Sequence, residues 1–129
     1  MKSFQQYVSD IVKDVKEVNV TALSQALHSP CLVIDIREPG EWEQGVIPSA
    51  MCCPRGILES KIVGLLDNCS ERKMAMPVFL YCRSGARSVL AAQSLQNMGV
   101  HCCYSVKGGY QAWQEAGLPV AELKDATIC

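Results

Sequence analysis

Residues 78–88 decide the fold, and they read Val78-Phe79-Leu80-Tyr81-Cys82-Arg83-Ser84-Gly85-Ala86-Arg87-Ser88. The apolar run at the start predicts a buried central strand. The segment from Ser88 to Met98 has helical spacing, and Gly99 is a common helix stop. The loop between the strand and the helix holds a thiol in a tight turn. This order of strand, loop and helix is typical of an α/β protein with a parallel sheet.

The rest of the chain repeats this alternation. Further strands are predicted at residues 17–19, 31–36, 50–53 and 102–106, and helices at 20–28, 41–43, 57–66 and 109–116, with Asn19 as a helix cap. Such alternation predicts a parallel sheet covered by helices on both faces. Ligands bind to sheets of this kind outside the carboxyl ends of the strands.

The two ends of the chain differ from this pattern. Residues 4–18 carry apolar side chains at spacings of three and four, which predicts an amphipathic helix added to the domain. We therefore divide the chain into an N-terminal helix at 1–16, an α/β domain at 17–120 and a loosely held tail at 121–129.

Composition limits the possible partners. The chain has 129 residues, enough for one domain, and its net charge of −1 indicates neither a nucleic-acid nor a membrane partner. No apolar run is long enough to cross a bilayer, and the sequence from Met1 onward has no secretory signal pattern. A cytoplasmic location is expected.

Eight cysteines are present, at positions 31, 52, 53, 69, 82, 102, 103 and 129. No two are spaced C-x-x-C, so neither a zinc knuckle nor a thioredoxin-type pair is indicated, and we expect no metal and no cofactor. Most of these thiols should be small buried residues. The two histidines, His28 and His101, are predicted surface residues, which argues against a Cys–His dyad.

Cys82 is the exception among the cysteines. Backbone N–H groups of residues 83–88 and the following helix N-terminus can form an anion-binding nest, and Gly85 permits the turn. Such a nest favours the thiolate, which is a nucleophile for an anionic substrate. The candidate catalytic residue is Cys82. The candidate substrate-binding residues are Arg83, Ser84, Gly85, Ala86, Arg87 and Ser88.

The loop fits two anion chemistries. Cysteine phosphatases use C-x5-R to wrap a tetrahedral phosphate, but Arg87 here stands at C-x4-R from Cys82. A loop one residue shorter should close more tightly around sulfur, which favours holding a persulfide. A phosphatase or arsenate reductase remains the alternative enzyme.

Four motifs in the same order resemble the rhodanese family of sulfurtransferases over residues 17–120. They are Val33-Ile34-Asp35-Ile36-Arg37-Glu38-Pro39 with Glu41-Trp42-Glu43-Gln44-Gly45, then Ile47-Pro48-Ser49-Ala50, then Cys82 to Ser88, and last Gly108-Gly109-Tyr110-Gln111-Ala112-Trp113. The resemblance implies a five-stranded parallel sheet and a persulfide intermediate on Cys82. It also implies structural support at the sheet's carboxyl end from Asp35 and Arg37, with Glu41 or Glu43.

The resemblance implies transfer of sulfur from a small anionic donor such as thiosulfate to cyanide or a thiol, with a sulfur-accepting protein as another candidate acceptor. The alternative is a non-catalytic sulfur carrier or regulatory binding module. Two positions depart from the family pattern: Val46 replaces the usual His, and Ser49 the usual Gly. If a second thiol resolves the persulfide, Cys102 or Cys103 is the candidate, although about 10 Å of strand separates them from the sheet's rim.

Overall fold

The computed structural model describes residues 1–67 and 76–129. The prediction that Cys69 is a core cysteine lies outside the described residues. In chain order the elements are α1 (Phe4–Val12), β1 (Glu17–Val18), α2 (Val20–Ala26), β2 (Leu32–Asp35), α3 (Pro39–Trp42), β3 (Met51–Cys52), α4 (Leu58–Asp67), β4 (Val78–Tyr81), α5 (Ala86–Asn97), β5 (Cys103–Val106), α6 (Gly109–Glu115) and β6 (Thr127–Ile128). Asn19 caps α2 as predicted, since its side-chain oxygen accepts from the N–H of Ala22 at 2.8 Å.

The described part of the chain forms a sheet of six strands in the order β1-β5-β4-β2-β3-β6, and each neighbouring pair is parallel. The resemblance implied five strands, and this count is wrong. The sixth strand, β6, pairs with β3 through Thr127 and Ile128, so these two residues are not a loosely held tail. Both residues of β6 are exposed, so the sequence has no alternation of buried and exposed residues that would predict this strand. Backbone pairing with β3 attaches it to the edge of the sheet. The domain boundaries at residues 16 and 120 stay predictions.

Helices cover both faces of the sheet. Alternate residues of the central strands enter two separate clusters: Leu32 and Ile34 pack on one face, and Val33 on the other. Helices α1, α4 and α5 pack on the face that carries Leu32 and Ile34. Helices α2, α3 and α6 pack on the face that carries Val33. The period of two in a strand explains this division, because successive side chains point to opposite faces.

The N-terminal helix is present but shorter than predicted. α1 ends at Val12, and Ile11 and Val15 pack into the same core face as α5. Phe4 and Tyr7 stay about half exposed, at 54% and 48%. Within residues 1–67 and 76–129, no helix is long and apolar enough to cross a membrane.

Both departures from the family pattern lie in the segment before β3. Val46 is buried and forms an isolated antiparallel bridge with Ala121. Ser49 has φ 72°, a left-handed conformation in which a side chain is strained and glycine is not. The glycine preference expected from the resemblance therefore has a backbone reason at this position.

Candidate active site

Cys82 lies directly after β4, at the carboxyl end of the sheet, and is 1% exposed. The backbone N–H of Gly85 donates to its Sγ at 3.2 Å. The thiol donates to Ser88 Oγ at 3.6 Å, and Ser88 in turn shares a 2.7 Å hydrogen bond with Ser105 Oγ. Both serines are fully buried, so the sulfur of Cys82 contacts a buried polar pair inside an otherwise apolar core.

Glycines hold the loop against its neighbours. Gly85, at φ 95°, is the N-cap of α5, and a Cβ there would lie 2.9 Å from the backbone nitrogen of Gly108. Gly109 has φ 57°, and a Cβ there would clash with the carbonyl oxygens of Cys82 and Arg83. The loop therefore needs glycine at both of these close approaches.

The first turn of α6 fixes the other side of the loop. The N–H of Tyr110 donates to the carbonyl of Cys82 at 2.9 Å, and the N–H of Gln111 donates to the carbonyl of Arg83 at 2.9 Å. These bonds satisfy helix donors that would otherwise be unpaired and fix the positions of the two loop carbonyls. The Cys82 loop and the Gly108-Gly109 motif thus form one unit.

Arg87 forms a two-pronged ion pair with Glu41. Its Nη1 and Nη2 donate to Glu41 Oε1 and Oε2 at 2.8 and 3.0 Å, with about a third of each side chain exposed. The hydrogen bonds from Arg87 hold the pKa of Glu41 below its usual range, although partial burial opposes this shift. The partner of Arg87 is therefore Glu41, while Glu43, named from the resemblance as structural support, is exposed at the end of α3.

Asp35 and Arg37 form a second, buried pair at the same edge of the sheet. Arg37 donates from Nε and Nη2 to the Asp35 carboxylate at 2.7–3.1 Å, and its Nη2 also reaches the carbonyl of Gly45 at 2.8 Å. The guanidinium lies 4.2 Å from the ring centroid of Tyr110. Tyr110 lies in the first turn of α6, which holds the Cys82 loop, so the Asp35–Arg37 pair is linked to the site through this ring.

Arg83 is the exposed cation of the site. Among the described residues, its guanidinium has no carboxylate partner. It borders a cavity of about 440 Å³ at the carboxyl end of the sheet, whose other lining residues are Arg37, Gly40, Glu41, Gln44, Tyr110, Gln111 and Gln114. Ser84, also exposed, lines a second groove of about 360 Å³ between the loop and α1, together with Gly85 and Ala86.

Cys103 and the two histidines lie away from Cys82. Cys103 pairs in register with Val78, four residues before Cys82, so about 13 Å of strand separates the two cysteines. Burial raises the pKa of the Cys103 thiol to about 12, so it ionises less readily than an ordinary thiol. His28 and His101 are exposed, and His101 precedes β5, at the opposite edge of the sheet. No group of residues suited to hold a metal ion occurs within 1–67 and 76–129.

Two functional contacts were missed in the sequence. Ser105, in the middle of β5, was not singled out, although a polar residue in an otherwise apolar strand was the available signal. The sequence predicts no separate role for Tyr110 beyond the Gly108–Trp113 motif. In the structure its backbone binds the Cys82 loop and its ring contacts Arg37. Both contacts depend on the pairing of β4 with β5 and α6, which no local pattern encodes.

Comparison with known proteins agrees with this geometry. The model of the rhodanese-like domain family matches residues 19–116. A protein of Allochromatium vinosum named "Sulfurtransferase" is 36% identical over 108 residues, which cover 82% of this chain and 94% of that protein. The "Putative sulfur carrier protein YrkF" of Bacillus subtilis is 26% identical over 110 residues, covering 84% of this chain and 56% of that protein. The chain spans 59% and 62% of two further bacterial relatives of uncharacterised function.

Solved structures show the same fold. A Rhodopseudomonas palustris protein, described as of unknown function and a possible tyrosine phosphatase, has a TM-score of 0.77 at 28% identity and covers 94% of this chain and 96% of its own. The human single-domain sulfurtransferase TSTD1 has a TM-score of 0.65 at 25% identity, covering 78% of this chain and 96% of its own.

Proposed function

The chain belongs to the rhodanese-like domain family, and from this membership we propose that it is a sulfurtransferase working through a persulfide on Cys82. The observation that carries the proposal is the set of donors around one sulfur. The Gly85 N–H and the Ser88 hydroxyl both lie beside Cys82 Sγ, at the N-terminus of a 12-residue helix. These groups are suited to stabilise negative charge on sulfur.

The reaction has two displacements. The Cys82 thiolate attacks the outer sulfur of a donor such as thiosulfate, the donor's S–S bond breaks, and sulfite leaves with the bonding electrons. A nucleophilic acceptor, cyanide or a thiol, then attacks the outer sulfur of the persulfide. The Cys82–sulfur bond breaks and returns the thiolate, so each step exchanges one sulfur bond for another.

The Ser88–Ser105 pair can hydrogen-bond to Cys82 in both its thiol and its thiolate form. In the thiol form Cys82 donates to Ser88, as the 3.6 Å contact records. In the thiolate form the Ser88 hydroxyl rotates to donate to sulfur, and Ser105 donates to Ser88 across their 2.7 Å bond. The core thereby supplies a hydrogen bond to the charged sulfur without moving any heavy atom.

The two arginines have different roles in this proposal. Arg87 is held by Glu41 and acts on Cys82 by its fixed charge. Arg83, exposed beside the 440 Å³ cavity, is placed to attract an anionic donor. Ser84 and Ala86 contribute backbone N–H groups of the nest. The phosphatase alternative is disfavoured because the Arg87 fork is already occupied by a carboxylate rather than open to a phosphate.

A second candidate is a sulfur carrier, which the similarity to YrkF favours. A carrier would accept a single sulfur on Cys82 and release it to a protein rather than to a small molecule. The enzyme and the carrier differ in turnover: the enzyme produces many equivalents of thiocyanate from thiosulfate and cyanide, whereas a carrier produces at most about one per chain.

Intact mass spectrometry tests the proposal. After thiosulfate, we expect a gain of one sulfur, about 32 Da, that cyanide removes. The Cys82→Ser variant should gain nothing, and the Cys103→Ser variant, which loses a buried thiol of the neighbouring strand, should behave like the native chain. Retained transfer in Cys82→Ser, or hydrolysis of p-nitrophenyl phosphate that depends on Cys82, would contradict the assignment.

A further inference from the structure

A row of side chains crosses the carboxyl end of the sheet and brings two cysteines together. Asp35 pairs in register with Tyr81 on one side and Cys52 on the other, and Cys52 pairs with Ile128. The residues that directly follow these four strands continue the pairing and form a row across the sheet. In order across the sheet they are Cys82, Ile36, Cys53 and Cys129. Residues in one row of a parallel sheet point to the same face, and all four pack in the same core cluster.

Cys53 and Cys129 are direct neighbours in this row. Adjacent strands lie about 4.8 Å apart, within the 4.4–6.8 Å that separates Cα atoms in disulfides. The backbone N–H of Cys129 donates to the carbonyl of Cys52 at 2.9 Å, which fixes the end of β6 beside β3. Burial, and then a hydrogen bond with the Cys129 thiol, raise the pKa of Cys53 to about 12. The two thiols are therefore in contact.

We propose that Cys53 and Cys129 form a reversible disulfide site for low-molecular-weight disulfides, and that its closure ties the edge strand β6 to β3. Cys129 is partly exposed and Cys53 is fully buried, so Cys129 reacts first. Neither residue belongs to the Cys82 site, from which Ile36 and about 10 Å, two strand spacings, separate Cys53.

The chemistry is two successive thiol–disulfide exchanges. Cys129, as thiolate, attacks one sulfur of the small disulfide; that S–S bond breaks and one small thiol leaves after taking up a proton. Cys53 then attacks the Cys129 sulfur of the mixed disulfide; the bond between Cys129 and the small thiol breaks, and the second small thiol leaves with the proton of Cys53. Overall, two protein thiols are oxidised and one small disulfide is reduced to two thiols.

Closure has a structural consequence at a weak edge. Both residues of β6 are exposed, and two register pairs attach the strand to the sheet. A bond between Cys53 and Cys129 closes most of the chain into one loop, which restricts the unfolded ensemble and stabilises the folded one. Amide exchange at Thr127 and Ile128 should become slower in the oxidised protein, because the strand can no longer fray.

The test treats the full chain with oxidised glutathione. The Cys82→Ser background removes the reactive thiol from competition. We expect a loss of about 2 Da, two hydrogen atoms, with no retained glutathione, a cross-link between the peptides that hold Cys53 and Cys129, and a rise of several degrees in Tm. Dithiothreitol should reverse all three changes.

Variants assign the bond, because Cys52 and Cys53 share one tryptic peptide. Cys52 faces the opposite core cluster, so Cys52→Ser is the matched control and should close the disulfide as before. Cys53→Ser should instead keep one glutathione on Cys129, and Cys129→Ser should form no cross-link. A stable mixed disulfide at Cys129 with Cys53 present, or a cross-link mapped to another pair, would overturn the proposal. Persulfide formation on Cys82 in the native chain, before any treatment with oxidised glutathione, reports on the proposed function separately.

Discussion

Two arginine–carboxylate pairs lie at the same edge of the sheet, and each arginine donates to its carboxylate from two nitrogens, yet the pairs differ in burial. The side chains of Arg37 and Asp35 are 4% and 0% exposed, whereas those of Arg87 and Glu41 are 33% and 29% exposed. A buried pair is costly to break because one charge is left without solvent, while a half-exposed pair contributes little to folding. The first pair therefore contributes mainly to the stability of the fold, and the second is the pair that we propose acts on Cys82.

The largest expected effect comes from breaking the buried pair. Arg37→Leu leaves the buried Asp35 carboxylate without its guanidinium partner, and we expect the free energy of unfolding to fall by about 3–5 kcal/mol. Urea denaturation measures this. The double variant Asp35→Leu, Arg37→Leu removes both charges and should recover part of the loss. A single variant within about 1 kcal/mol of the native chain would refute the difference between the pairs.

An intermediate effect is expected from breaking the half-exposed Arg87–Glu41 pair. It should change the rate of persulfide formation rather than the free energy of unfolding. Arg87→Gln removes the fixed positive charge near Cys82, so the rate of persulfide formation with thiosulfate should fall roughly tenfold, or about 1.4 kcal/mol. Its unfolding free energy should change by at most about 1 kcal/mol. Stopped-flow kinetics and urea denaturation on the same samples separate the two quantities. A variant that loses stability but reacts at the native rate would reverse the roles assigned here.

The smallest effect is the pH dependence of the exposed pair. The Arg87 hydrogen bonds lower the pKa of Glu41. A carboxyl group with a lowered pKa stabilises the fold above its unfolded pKa of about 4.3, and this contribution is lost as the pH falls through the folded value. The free energy of unfolding of the native chain should exceed that of Glu41→Gln by about 0.5 kcal/mol near pH 7, and this difference should vanish below about pH 4. Thermal unfolding at several pH values measures it, and a difference that grows on acidification would contradict it.

Some of these contacts were within reach of the sequence. Five strands, the Asn19 cap and the strand–loop–helix around Cys82 follow local patterns of hydrophobicity and turn residues, and the structure confirms them. The resemblance named Glu41 or Glu43 as support beside Asp35 and Arg37, and no carboxylate partner was predicted for Arg87. The structure places Glu41 beside Arg87 because the short helix α3 turns only one of the two toward the loop.

Sequence alone determined the alternation of strands and helices and the position of Cys82 in a glycine turn, because both depend on residues close together in the chain. Tertiary structure decided the sixth strand, the Ser88–Ser105 pair beneath the sulfur and the contact between Cys53 and Cys129. These join residues 17 to 76 positions apart. Strand register sets such contacts, and register is fixed only when the whole sheet packs against its helices.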